Sequence, residues 1–75
     1  MHAFVFVNVK AGRAKVVARQ MGQVAGVRDV HACWGVPDII AVIEVKNERA
    51  LNDLVFNHIA KLPGVEHTDT HIALD

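Results

Sequence analysis

The sequence predicts a single α+β domain over residues 1–75: a ferredoxin-like βαββαβ antiparallel sheet that pairs with a second copy as a dimeric α/β barrel. Three observations predict it. Segments rich in β-branched and aromatic residues alternate with amphipathic segments of helical period. Val24-Ala25-Gly26-Val27 is echoed by Leu62-Pro63-Gly64-Val65, each closing a helix and opening a strand, so the chain reads as two βαβ-type halves. The first and third strands are apolar on both faces, which asks for cover on both sides of the sheet.

Each element has its own signal. Ala3-Phe4-Val5-Phe6-Val7-Asn8-Val9 reads as the first strand and ends at Lys10-Ala11-Gly12. From Arg13 to Val24 the spacing changes: Val17, Met21 and Val24 fall at i, i+4 and i+7, with Arg13, Lys15, Arg19, Gln20 and Gln23 mostly on the other faces of an amphipathic helix. Gly26 suits the left-handed position past the helix end, and Val27 to Trp34 reads as the second strand. The Gly35-Val36-Pro37 turn then leads into a third strand at 38 to 46, making a hairpin. Asn47 caps a helix from Glu48 to Lys61 whose Leu51, Val55, Ile59 and Leu62 form a stripe, Pro63-Gly64 stops it, and Val65 to Leu74 is the last strand. Right-handed crossovers interleave the two halves into four antiparallel strands with both helices on one side.

Burial then bears on assembly. Ala3, Val5, Val7 and Val9 alternate with Phe4 and Phe6, and Ile39, Ala41 and Ile43 alternate with Ile40 and Val42. Two helices cover one face only. Leaving the other face wet forfeits about 1.5–3 kcal/mol for each large side chain that burial would gain. At this length roughly 60% of the unfolded chain's surface is buried on folding, so one core is marginal alone. A second copy packed sheet to sheet about a two-fold axis supplies the rest, and an obligate homodimer is expected.

Composition excludes several classes. Eight Lys and Arg balance eight Asp and Glu with no block of like charge, so direct nucleic-acid binding and attraction to an anionic membrane are not expected. The apolar run within 39 to 43 is far short of the roughly 20 residues that span a bilayer. Cys33 is the only cysteine, and Met1 runs into a strand-like segment with no signal peptide, which predicts a cytoplasmic protein.

The most informative stretch is Trp34-Gly35-Val36-Pro37-Asp38, a tight turn ending in an acid before a β-branched strand. Gly35 and Pro37 already supply the turn chemistry, so Asp38 has no obvious part in holding the sheet. It either accepts backbone N–H bonds in the turn or receives a ligand. His67, Asp69 and His71 share a strand face, but the two histidines are separated by roughly 13 Å at about 3.3 Å per residue, too far for one metal, and a solvated or interface face is the better reading. His31 and Cys33 share a face of the second strand without a third orienting group, so no catalytic residue, metal or cofactor is assigned. Lys10-Ala11-Gly12-Arg13 lacks a phosphate-loop pattern.

The Gly35-Val36-Pro37-Asp38-Ile39-Ile40 turn resembles a "G-x-x-D-hydrophobic" signature, and Thr68-Asp69-Thr70-His71-Ile72-Ala73-Leu74 resembles a final "T-x-T-x-hydrophobic" strand. Together with the βαββαβ order, across essentially the whole chain, they resemble the Lrp/AsnC effector-binding domain, also called the RAM domain. Family members usually carry an N-terminal helix-turn-helix, and with nothing before its first strand this chain looks like the stand-alone form. The resemblance implies a non-enzymatic module of transcription regulation that binds an amino acid or similar effector where the hairpin turn of one subunit meets the last strand of another. Asp38 would receive an ammonium, the Gly35 backbone would approach a carboxylate, Thr68 and Thr70 would orient the ligand, and Trp34 and Val36 would line its side-chain pocket. It further implies homodimers assembling into tetramers, octamers or larger species, and co-assembly with full-length Lrp/AsnC regulators.

Two rivals share the topology. Dimeric α/β-barrel enzymes, monooxygenase-like or isomerase-like, would recruit Asn8, His31, Trp34 and His71. Regulatory domains of the ACT type bind similar ligands but associate side by side.

Overall fold

The computed structural model describes residues 1–75. The order is β1 (His2–Val9), α1 (Ala14–Gly22), β2 (Val27–Ala32), β3 (Ile39–Glu44), α2 (Glu48–Asp53) with a π-helical continuation (Leu54–Ile59), and β4 (Val65–Ile72). The strands form one sheet in the order β2-β3-β1-β4, every neighbouring pair antiparallel. This is the ferredoxin-like arrangement that the two-halves pattern predicts.

One face of the sheet carries the core. Ala3, Val5 and Val7 from β1 and Ile39, Ala41 and Ile43 from β3 are fully buried against Val17 and Met21 of α1 and Leu51, Leu54, Val55 and Ile59 of the second helix. Side chains alternate across a strand, so Phe4, Phe6, Ile40 and Val42 project from the opposite face, where nothing covers them. Phe4 is 40% exposed and Ile40 36%. The apolarity of both faces is thus borne out, with one face left open.

The elements are mostly shorter than the sequence suggests. Strands β2 and β4 end at Ala32 and Ile72 rather than Trp34 and Leu74, β3 spans Ile39–Glu44 rather than 38 to 46, and α1 spans Ala14–Gly22 rather than Arg13 to Val24. Asn47 caps the second helix as predicted, its side chain accepting from the Ala50 N–H at 2.9 Å. That helix does not stay α-helical to Lys61. After Asp53 it widens into a π-helix, and the Ala60 N–H donates to the Val55 carbonyl five residues back.

The internal echo is structural. Gly26 and Gly64 both adopt positive φ, +99° and +97°, and in each the following valine N–H bonds back three residues, Val27 to Val24 and Val65 to Leu62, at 3.1 Å. A Cβ at Gly26 would lie 2.6 Å from Leu54 Cδ1, so a side chain there would also have to displace that leucine methyl.

Candidate functional site

The hairpin between β2 and β3 is a projecting tip. Gly35 sits at φ +109° with open space where a Cβ would be, and the flanking Trp34 and Val36 are 104% and 91% exposed. Neither contributes to the core, although each is large and apolar. Pro37 follows, and the chain turns back into β3 at Ile39.

Asp38 has the part in the sheet that the turn chemistry conceals. Its Oδ2 accepts a 2.9 Å hydrogen bond from the Val9 N–H at the end of β1. Its own N–H donates to the Val7 carbonyl at 3.1 Å, and its carbonyl accepts from the Cys33 N–H at 2.7 Å. The residue therefore locks the hairpin base to the end of β1. One carboxylate oxygen is committed to this bond, which leaves Oδ1 as the free acceptor.

Thr68 and Thr70 lie on β4 opposite Val7 and Val5, and so on the helix-side face of the sheet. The row Ile39–Val7–Thr68 puts Thr68 two strands from the hairpin base. Within one chain the tip residues and these threonines do not enclose a common pocket. The one cavity, about 500 Å³, lies elsewhere, between the end of α1 and the second helix, lined by Gln23, Val24, Val45, Asp53, Leu54 and His58. The charge pattern and spacing of those residues gave no sign of it, because α1, β3 and α2 meet there only on folding.

Residues that an enzyme of this topology would use are dispersed. His31 and His71 stand on the two edge strands, three strand spacings or roughly 14 Å apart across the sheet, and in different rows. Cys33 is half-buried, and its thiol lies 3.7 Å from the His31 carbonyl, while the His31 ring pairs with Asp29 at 3.2 Å. No group of three or more His, Cys, Asp or Glu side chains converges as metal ligands. No helix is long and apolar enough to cross a membrane.

Fold and surface together define an α+β domain with helices on one face of its sheet, a bare apolar face on the other, and an exposed apolar hairpin tip. Residues 2–75 match the family model of the Lrp/AsnC ligand binding domain, and the chain belongs to that family. It is 36% identical over 74 residues to the HTH-type transcriptional regulator FL11 of Pyrococcus horikoshii, covering 99% of this chain and 48% of that protein. The chain thus spans about half the length of the curated relatives it matches. Among solved structures, TTHA0845 from Thermus thermophilus superposes with a TM-score of 0.93 at 28% identity, covering 99% of this chain and 92% of that one. The transcriptional regulator NMB0573 of Neisseria meningitidis, solved as an L-Met complex, shares the fold at a TM-score of 0.85 and 20% identity, covering 99% of this chain and 49% of that one.

Proposed function

We propose that this chain is an amino-acid effector-binding and assembly module of the Lrp/AsnC type, acting in the cytoplasm without catalysis. The observation that carries the reading is the hairpin tip. Trp34 and Val36 are exposed almost completely, beside the Gly35 backbone and close to the partly committed carboxylate of Asp38. Stable monomers rarely leave large apolar side chains grouped on a protrusion unless something binds there. The site is completed when the tip docks against β4 of a neighbouring subunit, bringing Thr68 and Thr70 to the ligand. Asp38 Oδ1 then takes the ammonium, the Gly35 backbone faces the carboxylate, and Trp34 and Val36 enclose the side chain. In a regulator of the same fold, a free amino acid is the bound ligand.

The open face joins two copies into the homodimer, and ligand joins dimers into tetramers, octamers or larger species. Because ligand bridges dimers, it favours the larger assembly by mass action, and assembly raises ligand affinity by the same factor. Transcription would be affected through mixed assemblies with full-length Lrp/AsnC regulators.

Light scattering with and without a panel of free amino acids tests this. The mass is expected to rise with one amino acid and to stop responding in Asp38→Ala. A mass indifferent to every amino acid would overturn the bridging mechanism.

A further inference from the structure

The two edges of the open face carry the same triplet, Asp29-Val30-His31 on β2 and Asp69-Thr70-His71 on β4. Within each triplet the carboxylate and imidazole are paired, Asp29 Oδ1 to His31 Nε2 at 3.2 Å and Asp69 Oδ2 to His71 Nε2 at 3.1 Å. The edges run in opposite directions, since β2 is antiparallel to β3, β3 to β1 and β1 to β4. The repeat is therefore reversed across the sheet. One row reads His31–Ile40–Phe6–Asp69 and the next reads Asp29–Val42–Phe4–His71.

An apolar quartet is thus framed by four polar corners of alternating kind. Aligned sheets packed face to face place a second copy over the first through a two-fold axis lying between them. An axis along the strands sets His31 over the partner subunit's Asp69 and Asp29 over the partner subunit's His71. An axis across the strands, between the two rows, sets His31 over the partner subunit's Asp29 and His71 over the partner subunit's Asp69. In both cases every imidazole meets a carboxylate.

We propose that these Asp-x-His corners are the polar frame of the homodimer, where each imidazolium bridges a carboxylate of its own chain and one of the partner, so that mild acid tightens the dimer. The inference rests on the reading of the open face as the homodimer interface. The other ionisable groups on or beside the face are His2 of β1, Glu44 of β3 and Arg28 of β2, beyond the second row, and His67 of β4 and Cys33 after β2, beyond the first. Glu44 is already held by Arg28 at 2.9 Å and by His2 at 3.3 Å, with the N-terminal ammonium at 3.7 Å. Asp29 and Asp69 have no cationic partner besides their histidines. With neutral imidazoles the four corner carboxylates of a dimer add uncompensated negative charge around an apolar seam. Histidine is the side chain that ordinarily changes charge between about pH 5 and 8, and a protonated imidazole at each corner supplies the missing charge in the dimer. The sign follows: protonation of the imidazoles favours association.

Native mass spectrometry of mixed ¹⁵N-labelled and unlabelled chain, in EDTA, reads subunit exchange at pH 8 and pH 6. Exchange is expected to slow about tenfold at pH 6, the scale of four modest exposed ion pairs, and the double variant H31Q/H71Q is expected to exchange at one rate at both values. A fourfold variant that interchanges Asp and His on both edges preserves the complementarity and should retain the response. A dimer whose exchange ignores pH, or whose pH response survives in H31Q/H71Q, overturns the frame while leaving the dimer standing. A chain that is monomeric at both pH values overturns the dimer reading as well.

Discussion

The carboxylate of Asp38 and the backbone N–H of Val9, 29 positions apart in sequence, are joined by a 2.9 Å hydrogen bond that fastens the β2–β3 hairpin to the end of β1. The bond makes Asp38 both a structural clamp and the nearest acid to the exposed tip, and the two parts are separable by substitution. Asn in place of Asp keeps an oxygen acceptor for the Val9 N–H but removes the charge. Asp38→Ala removes both and leaves a partly buried donor unmatched, a loss of about 1–3 kcal/mol. Urea unfolding should therefore show Asp38→Asn much closer to the parent than Asp38→Ala. Calorimetric titration with the effector should show both variants impaired, because an ammonium needs the charge. An Asp38→Asn variant with full effector affinity would confine Asp38 to its structural part.

Trp34 is expected to behave in the opposite way. It is fully exposed and touches no core residue, so Trp34→Ala should change unfolding stability by no more than about 0.5 kcal/mol. Its effect should fall on assembly. Light scattering of the variant should show the dimer retained and the ligand-driven larger species lost.

Phe4 lies at the centre of the open face, paired with Val42 on one side and His71 on the other. Phe4→Asp sets a charge in the middle of the apolar quartet without touching the helix-side core. Sedimentation velocity should show the dimer weakened by at least about a hundredfold, the effect of roughly 2.7 kcal/mol. The melting temperature should fall and become strongly dependent on protein concentration, as it does when folding and association are linked.

Gly26→Ala tests the junction between α1 and β2. The position has φ +99°, and its new methyl would sit 2.6 Å from Leu54 Cδ1 and 3.2 Å from Val45 Cγ1. Backbone strain and overpacking together should cost about 2–4 kcal/mol, read by urea unfolding. At Gly35, where φ is also positive but nothing lies within 4 Å, alanine should incur only the backbone part, about 1–2 kcal/mol.

Much of the fold was legible because its signals are local. The period-2 runs at Ala3–Val9 and Ile39–Ile43, the period-3.6 stripe through Val17 and Met21, and the paired glycines at 26 and 64 each depend on residues within a few positions of one another. The hairpin followed from Gly35 and Pro37 in the same way, whereas the exposure of Trp34 and Val36 at its tip did not, because the sequence suggests a second strand running through Trp34. The switch to a π-helix after Asp53 was not legible, because Leu51, Val55, Ile59 and Leu62 fit an ordinary amphipathic helix and nothing in their spacing marks the wider turn.

By itself, then, the sequence determined the order of the elements, the two-sided apolarity of the central strands and the placing of Trp34, Gly35, Val36 and Asp38 on one turn. Tertiary structure alone decided what Asp38 binds, since the Val9 N–H reaches it only when β1 and β3 pair. It also decided that the two Asp-x-His triplets stand at opposite edges in reversed order, because that depends on the direction of β2 and β4 across two intervening strands. The physical reason is the same in both cases: periodicity is set by neighbours along the chain, whereas a hydrogen-bond partner or a facing charge is set by register between strands far apart in sequence.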